Sequence, residues 1–165
     1  MSANFLKQFR LVLMLGSLCI AATSTKIIAM SEEPLSLAPC PKSPNCVCSD
    51  EDQAAQQYIS PFVSAVNSDS EDSAVGGRRL LAAIAAYLDA QPEFSITQKR
   101  ENSLKVEART RLLGFVDDIE MQAREDKVYV RSASRVGYSD LGKNRKRLET
   151  IREAMIQQGA AKPLI

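Results

Sequence analysis

Carboxylates that could act in hydrolysis lie in the stretch between residues 117 and 147. Asp118 and Glu120 are two residues apart in a segment of alternating hydrophobicity, so both project from one face of a predicted strand, roughly 6 to 7 Å apart. Such a separation is compatible with carboxylate-based hydrolysis. Arginines nearby would keep both groups ionised, which suits a nucleophile but not a general acid. A carboxylate-dependent hydrolase is therefore one alternative, and we assign no catalytic residue.

Arginines in the same stretch predict the binding of an anion. Arg131, Arg135 and Arg145 can each form a bidentate pair of hydrogen bonds with a carboxylate, phosphate or sulfate. The segment from Gly137 to Gly142 leads into a predicted helix N-terminus, which also attracts anions. The alternative is a solvated sheet face with cross-strand ion pairs, each worth under about 1 kcal/mol. A hairpin centred on Glu125-Asp126 would place Glu120 opposite Arg131 in such a pair. The candidate ligand-binding residues are Asp118, Glu120, Arg131, Arg135, Tyr138 and Arg145.

The composition argues against several classes of chemistry. The chain has no His, no Trp and four Cys. Without His, a serine or cysteine nucleophile lacks its usual base, and zinc lacks its commonest ligand. We therefore expect no metal and no cofactor.

The charge is unevenly distributed along the chain. Residues 31–98 contain 3 basic and 10 acidic residues, whereas residues 99–165 contain 15 basic and 10 acidic residues. Such asymmetry can indicate a nucleic-acid face. Intramolecular complementarity is the simpler account in an exported protein, so we expect no nucleic-acid partner.

Residues 1–24 are predicted to be a signal peptide. Lys7 and Arg10 precede the apolar run Leu11–Ala22, which is shorter than the ~20 residues that span a bilayer. The pattern predicts export to the periplasm or cell envelope, or to the plastid lumen in a eukaryote. Membrane contact is expected only if this segment stays uncleaved or if Cys19 is lipidated.

Residues 25–73 are predicted to form an arm and an acidic connector. The arm contains closely spaced prolines with Cys40, Cys46 and Cys48, and two of these thiols are expected to pair in an oxidising compartment. Cys40–Cys46 closes a small loop, Cys40–Cys48 is the rival, and strain disfavours Cys46–Cys48. The stretch from Tyr58 to Val63 is expected to be an apolar anchor on the domain.

Residues 74–160 are predicted to form an α+β domain. Helical spacing from Leu80 to Leu88 predicts a helix that ends by Ala90. Alternation over the following residues predicts an antiparallel meander of four strands, and Ser139-Asp140 predicts the start of a second helix. The predicted fold class is α+β, a four-stranded antiparallel sheet with two helices packed on one face, preceded by a disulfide-stapled N-terminal arm.

A second group of polar residues falls on the predicted inner face. Asp117 alternates with Phe115 and Ile119, so it should point into the core, where a bare carboxylate is costly. Ser132 and Ser134 share the inner face of the last strand, and Asn144 lies on the apolar stripe of the second helix, with Arg145 beside it. The predicted structural polar cluster is Asp117, Ser132, Ser134 and Asn144.

Three segments resemble the DUF1499 family of uncharacterised proteins of bacterial envelopes and plastids. They are Cys40–Cys46, Phe115–Glu120 and the long motif Val130–Arg147, and the resemblance covers roughly residues 39–152. It implies a relationship without an activity. Where the family pattern has a serine this chain has Cys48, so the resemblance implies the pairing of Cys40 with Cys46. The acidic insert near residues 69–73 departs from the pattern.

The leading functional hypothesis is an exported, non-catalytic protein that binds an anionic small molecule, an envelope component or a protein partner. The alternatives are a carboxylate-dependent hydrolase that uses Asp118 and Glu120, and a structural or assembly protein in which the polar motif serves folding alone.

Overall fold

The computed structural model describes residues 36–66, 73–110 and 114–164. The predicted signal peptide and Cys19 lie outside these residues. The described elements are β1 (Cys46–Cys48), β2 (Phe62–Val63), α1 (Ser73–Asp89), β3 (Phe94–Lys99), β4 (Ser103–Arg109), β5 (Val116–Arg124), β6 (Lys127–Ser134) and α2 (Lys143–Gln157). The α+β class is confirmed.

The sheet has six strands, so the predicted number of four was wrong. Its order is β1-β6-β5-β4-β3, and β2 also pairs with β6. All of these pairs are antiparallel. Strands β3 to β6 form the predicted meander, because each alternates apolar and polar residues and so has one face suited to a core.

The two additional strands come from the segment that was expected to be an arm. Cys46 lies opposite Ala133 and Phe62 lies opposite Val128, so β1 and β2 cover successive parts of the same edge of β6. An uncovered edge strand invites pairing with another chain. Strands of three and two residues between prolines have no detectable period, which is why the sequence pattern did not reveal them.

Both helices pack on the same face of the sheet, as the amphipathic patterns predicted. Ile84 of α1 and Leu148 of α2 belong to one buried cluster with Ile119 and Val130 of the sheet. The apolar anchor of the arm joins this core through Phe62, which is fully buried. Within the described residues, no helix has both the length and the apolar character needed to cross a membrane.

Helix α1 crosses directly over the turn between β5 and β6 at Gly77. The Gly77 N–H donates a hydrogen bond to the carbonyl oxygen of Glu125 at 3.0 Å. A Cβ atom at Gly77 would lie 2.5 Å from that oxygen and 2.9 Å from the carbonyl oxygen of Lys127. Only glycine allows the helix to approach the turn this closely.

The arm is fixed to the domain by a disulfide and by an arginine of α2. The Cys40–Cys46 disulfide is present, which confirms the pairing implied by the family resemblance. Arg152 donates hydrogen bonds to the carbonyl oxygens of Ser60 at 2.6 Å and Pro61 at 3.0 Å. Its Nε also forms an ion pair with Glu149 at 2.8 Å, so its charge is satisfied by one carboxylate and by backbone dipoles although the residue is only 3% exposed.

Candidate functional site

Asn144 is the centre of the inner polar cluster. Its Nδ2 donates to the carbonyl oxygen of Asn45 at 3.0 Å and to Ser134 Oγ at 3.1 Å, and its Oδ1 accepts from Ser132 Oγ at 2.5 Å. Asn144 is 1% exposed. One buried amide therefore connects α2 to β6 and to the segment before β1.

Asp117 joins this cluster through Arg147, whose involvement was not predicted. Arg147 Nη2 donates to Asp117 Oδ2 at 2.7 Å, and Arg147 Nη1 donates to Asn144 Oδ1 at 2.9 Å. The structure thus brings together Asp117, Ser132, Ser134 and Asn144. Arg147 could have been found, because it follows Asn144 by three residues on one helix face. Asn45 gave no signal, since it is 99 residues away from Asn144 in sequence.

Arg135 is the centre of an outer cluster on the opposite face of the sheet. Its Nε and Nη2 donate to the two oxygens of Asp118 at 2.9 and 2.7 Å, and Nη2 also donates to Glu107 Oε1 at 2.6 Å. The hydrogen bond to Asp118, followed by that to Glu107, raises the pKa of Arg135 above its ordinary value. The guanidinium fork is already occupied by protein carboxylates, so an external anion would have to displace them.

Arg131 and Glu120 form the second pair of the outer face. They lie opposite each other in the β5–β6 register, as predicted, with Nη1 and Oε1 3.5 Å apart. The Arg131 side chain is only 14% exposed. On its other side Arg131 lies opposite Cys48, a fully buried free cysteine whose thiol pKa is raised by burial. Arg131 is therefore enclosed by β1 and is poorly accessible to a ligand.

Arg145 does not share the outer face with Arg131 and Arg135. Its Nη2 donates to the carbonyl oxygens of Gln56 at 2.7 Å and Tyr58 at 2.8 Å. Arg145 therefore holds the arm against α2. The six candidate ligand-binding residues therefore lie in three separate places. These are the outer face of the sheet, the contact between α2 and the arm, and the loop that contains Tyr138.

The loop of residues 136–142, hereafter the β6–α2 loop, exposes large apolar side chains. Val136 is 59% exposed, Tyr138 77% and Leu141 89%. Phe115, which was expected to point inward, is 48% exposed because it precedes the first residue of β5. It lies near the base of this loop, since the Arg135 N–H donates to the carbonyl oxygen of Val116 at 3.2 Å.

Hydrogen bonds anchor the β6–α2 loop at both of its ends. Asn45 Nδ2 donates to the carbonyl oxygen of Gly137 at 2.6 Å. Asp140 accepts from the backbone N–H groups of Gly142 at 3.0 Å and Asn144 at 2.7 Å. Asp140 therefore caps α2, although the helix begins after Gly142 rather than immediately after Asp140. The apolar side chains project from an ordered loop.

Two lysines extend the surface of this loop onto the first turns of α2. Lys143 and Lys146 are both exposed. Neither side chain forms an ion pair or a hydrogen bond with any of the described residues. The exposed apolar loop is therefore bordered by two available cations on this side. In the described ranges, no group of three or more His, Cys, Asp or Glu could hold a metal ion.

The family model described as "Protein of unknown function (DUF1499)" matches residues 36–155. The chain belongs to the DUF1499 family. The matched region includes the disulfide, the inner and outer clusters and the β6–α2 loop, so the features described above are those of a DUF1499 domain. Comparisons with curated proteins and with solved structures give no match. The description of the DUF1499 family assigns no activity, and only the geometry of this chain points to a function.

Proposed function

We propose that this DUF1499 protein is a non-catalytic binding protein that docks a protein partner through the β6–α2 loop. The observation that supports this most directly is the exposure of Tyr138 and Leu141, at 77% and 89%, on a loop fixed by hydrogen bonds. Exposed apolar side chains grouped in one place mark interaction sites more often than scattered ones do. A fixed loop also loses little conformational entropy when a partner binds.

The surroundings of the loop have the composition of a protein interface. Aromatic and aliphatic side chains form its centre, and charged groups lie at its borders, with the Arg135–Asp118 pair on the sheet side and Lys143 and Lys146 on the helix side. Interfaces typically combine an apolar centre with a polar rim. The two lysines favour a partner whose contact surface is apolar and bordered by carboxylates.

Backbone strain at Leu141 supports the same proposal. Leu141 has φ +56°, in the left-handed region, which costs a non-glycine residue roughly 1 to 2 kcal/mol. Its exposed side chain contributes little to the core. Residues kept in unfavourable backbone conformations cluster at functional sites, because their side chains serve a purpose other than folding.

Two alternative functions explain fewer of the structural observations. A carboxylate-dependent hydrolase needs an accessible carboxylate, but both oxygens of Asp118 accept hydrogen bonds from Arg135, and Glu120 is paired with Arg131. A purely structural role fits the inner cluster. It gives no reason for Tyr138 and Leu141 to project into solvent.

The proposal includes export from the cytosol. A Cys40–Cys46 disulfide is typical of oxidising compartments. Cell fractionation, followed by thiol labelling of the denatured protein without reductant, measures both properties at once. We expect the protein in the exported fraction with Cys48 as the single labelled residue of the three. Recovery of the protein in the cytosol with three labelled thiols would contradict export.

Site-specific photocrosslinking in the cells that make the protein tests the docking surface. The photoreactive residue p-benzoylphenylalanine replaces Tyr138 in one strain and Thr150, an exposed residue of α2, in a control strain. We expect a discrete protein adduct from position 138 and none from position 150. The adduct should disappear when Leu141→Asp is added, because a charge would then replace the apolar contact.

The nature of the adduct decides between partners. An adduct with a different protein that disappears in the Leu141→Asp variant supports the proposal. An adduct with lipid, or with a second copy of this chain, would replace the proposed partner with a membrane or a homodimer. Crosslinking that is equal at positions 138 and 150, or unchanged by Leu141→Asp, would show that the loop is not a specific docking surface.

A further inference from the structure

A cavity of about 380 Å³ lies between the first half of α1 and the β3–β4 hairpin, away from both polar clusters. Its size is at the lower end of that of ordinary small-molecule sites. Its buried lining consists of Leu81, Ala85 and Leu104 with one polar residue, Ser103, and Val75 and Ala82 complete the apolar part of the lining. Such a wall favours a hydrocarbon over a hydrated ion.

Basic residues surround this apolar wall. Arg78 and Arg79 come from α1, Lys99 and Arg100 come from the hairpin, and Glu101 is the one carboxylate among the lining residues. Arg78 forms an ion pair with Glu101 at 3.5 Å. Beside this ion pair, Arg79 and Lys99 add positive charge at the opening of the cavity, and such charge attracts anions.

The position of Lys99 results from an irregularity in β3. The β3–β4 register shifts between Ile96 and Gln98, so that Thr97 is an extra residue on β3. Lys99 consequently lies opposite Leu104, which is an inward residue of β4. Residues opposite each other in an antiparallel pair project from the same face. Without this bulge Lys99 would project from the other face, and bulges commonly redirect side chains next to binding sites.

From this arrangement we infer that the cavity, hereafter the α1–β3 pocket, binds an amphiphile with an anionic head and a hydrocarbon tail. The tail lies against Leu81, Ala85 and Leu104, and the head lies among the cations that include Lys99 and Arg79. A free inorganic anion would leave the apolar wall exposed to water. A cationic or uncharged hydrocarbon would form no ion pair with Lys99 or Arg79. This site is independent of the proposed partner-binding loop.

Isothermal titration calorimetry with four simple probes tests the inference. Decanoate and decyl phosphate carry an anionic head and a tail, inorganic phosphate carries the head alone, and decyltrimethylammonium carries the tail with a cationic head. We expect saturable binding, with one site per chain, of decanoate, decyl phosphate or both. Which of the two binds more tightly shows whether the natural head is a carboxylate or a phosphate.

Two variants with matched controls locate the binding. Lys99→Glu should weaken decanoate binding at least about tenfold by reversing a charge at the opening, whereas Lys42→Glu makes the same change at an exposed position of the arm and should have no effect. Ala82→Leu should weaken it about tenfold by filling the space of the tail. Ala86→Leu makes the same change at another exposed position of α1 and should leave binding unchanged.

Each remaining outcome counts against the pocket. Inorganic phosphate that binds as tightly as decyl phosphate would indicate a plain anion site. Equal binding of decyltrimethylammonium would indicate a purely apolar one. Absence of binding by both anionic amphiphiles, or equal losses in Lys99→Glu and Lys42→Glu, would overturn the inference. The crosslink at position 138 is expected to persist in Lys99→Glu, so failure of one proposal does not imply failure of the other.

Discussion

Arg147 of α2 and Asp117 of β5 form a buried ion pair, with Nη2 and Oδ2 2.7 Å apart and the two side chains 15% and 5% exposed. The same guanidinium also donates to Asn144 Oδ1. A buried ion pair contributes little net stability relative to apolar residues, but the loss of one partner leaves an uncompensated charge. These polar groups are paired only when α2 lies in this one position on the sheet, so the ion pair helps to specify that position.

The adjacent carboxylates should differ in their effect on stability. Asp117→Ala leaves Arg147 buried and unpaired, so the free energy of unfolding should fall by about 3 kcal/mol. Asp118→Ala breaks a half-exposed pair with Arg135 and should cost under about 1 kcal/mol. Urea unfolding measures both. In the double variant Asp117→Ala/Arg147→Met the loss should be smaller than the sum of the single losses. Equal and small losses for Asp117 and Asp118 would contradict the role of the inner cluster.

The two adjacent glycines of α1 should respond in opposite directions to alanine. A Cβ at Gly77 meets the carbonyl oxygen of Glu125 at 2.5 Å, so Gly77→Ala must displace the helix or the turn and should lower the midpoint of thermal unfolding. At Gly76 the nearest atoms are side-chain atoms of Ser64 at 3.4 Å. Gly76→Ala should therefore be neutral or stabilising, by up to about 1 kcal/mol from helix propensity. A stabilised Gly77→Ala variant would show that α1 does not need this close approach.

Leu141 is expected to lower the stability of the folded protein while it contributes to partner binding. Asparagine tolerates the left-handed conformation better than leucine, so Leu141→Asn should raise the free energy of unfolding by roughly 0.5 to 1 kcal/mol while it removes the crosslink at position 138. Val136→Asn, a neighbouring exposed apolar residue without positive φ, is the control and should not gain stability. If Leu141→Asn left the crosslink intact, Leu141 would not be part of the docking surface.

Asp50 should contribute to the acid sensitivity of the protein. Both of its oxygens accept hydrogen bonds from Arg124, at 2.8 and 2.7 Å, and these bonds hold the pKa of Asp50 below 3.8, its ordinary value. Because the pKa is lower in the folded state, this stabilisation is present above the ordinary value and is lost as the pH falls through the folded-state pKa. Asp50→Asn should therefore be less stable than the wild type near neutral pH, and the difference should shrink below pH 3.8.

Urea unfolding midpoints measured on both sides of that pH test this linkage. Asp52→Asn is the matched control, since the Asp52 side chain forms no ion pair with any described residue and accepts one hydrogen bond from the described residues, from the backbone N–H of Ala54. The prediction fails if the difference between Asp50→Asn and the wild type is the same at neutral and acidic pH.

Local patterns in the sequence determined the four long strands, the two helices and the division of the polar residues between two faces. Period-two alternation placed Asp117 inward and Asp118 outward, and the position of the hairpin turn at Glu125-Asp126 set Glu120 opposite Arg131. These features follow from side-chain polarity along one element, because strand and helix geometry repeat at fixed intervals. The family relationship also followed from the sequence, through the long motif that ends at Arg147.

The tertiary structure alone decided which groups meet. It placed β1 and β2 on the free edge of β6, directed Arg145 to the carbonyl groups of the arm instead of a ligand, and gave Asp117 its partner Arg147. It also turned Lys99 toward the α1–β3 pocket through one bulge and left Leu141 exposed. Each of these depends on contacts between segments far apart in the chain or on a single irregularity, and the periodicity within one element carries no information about either.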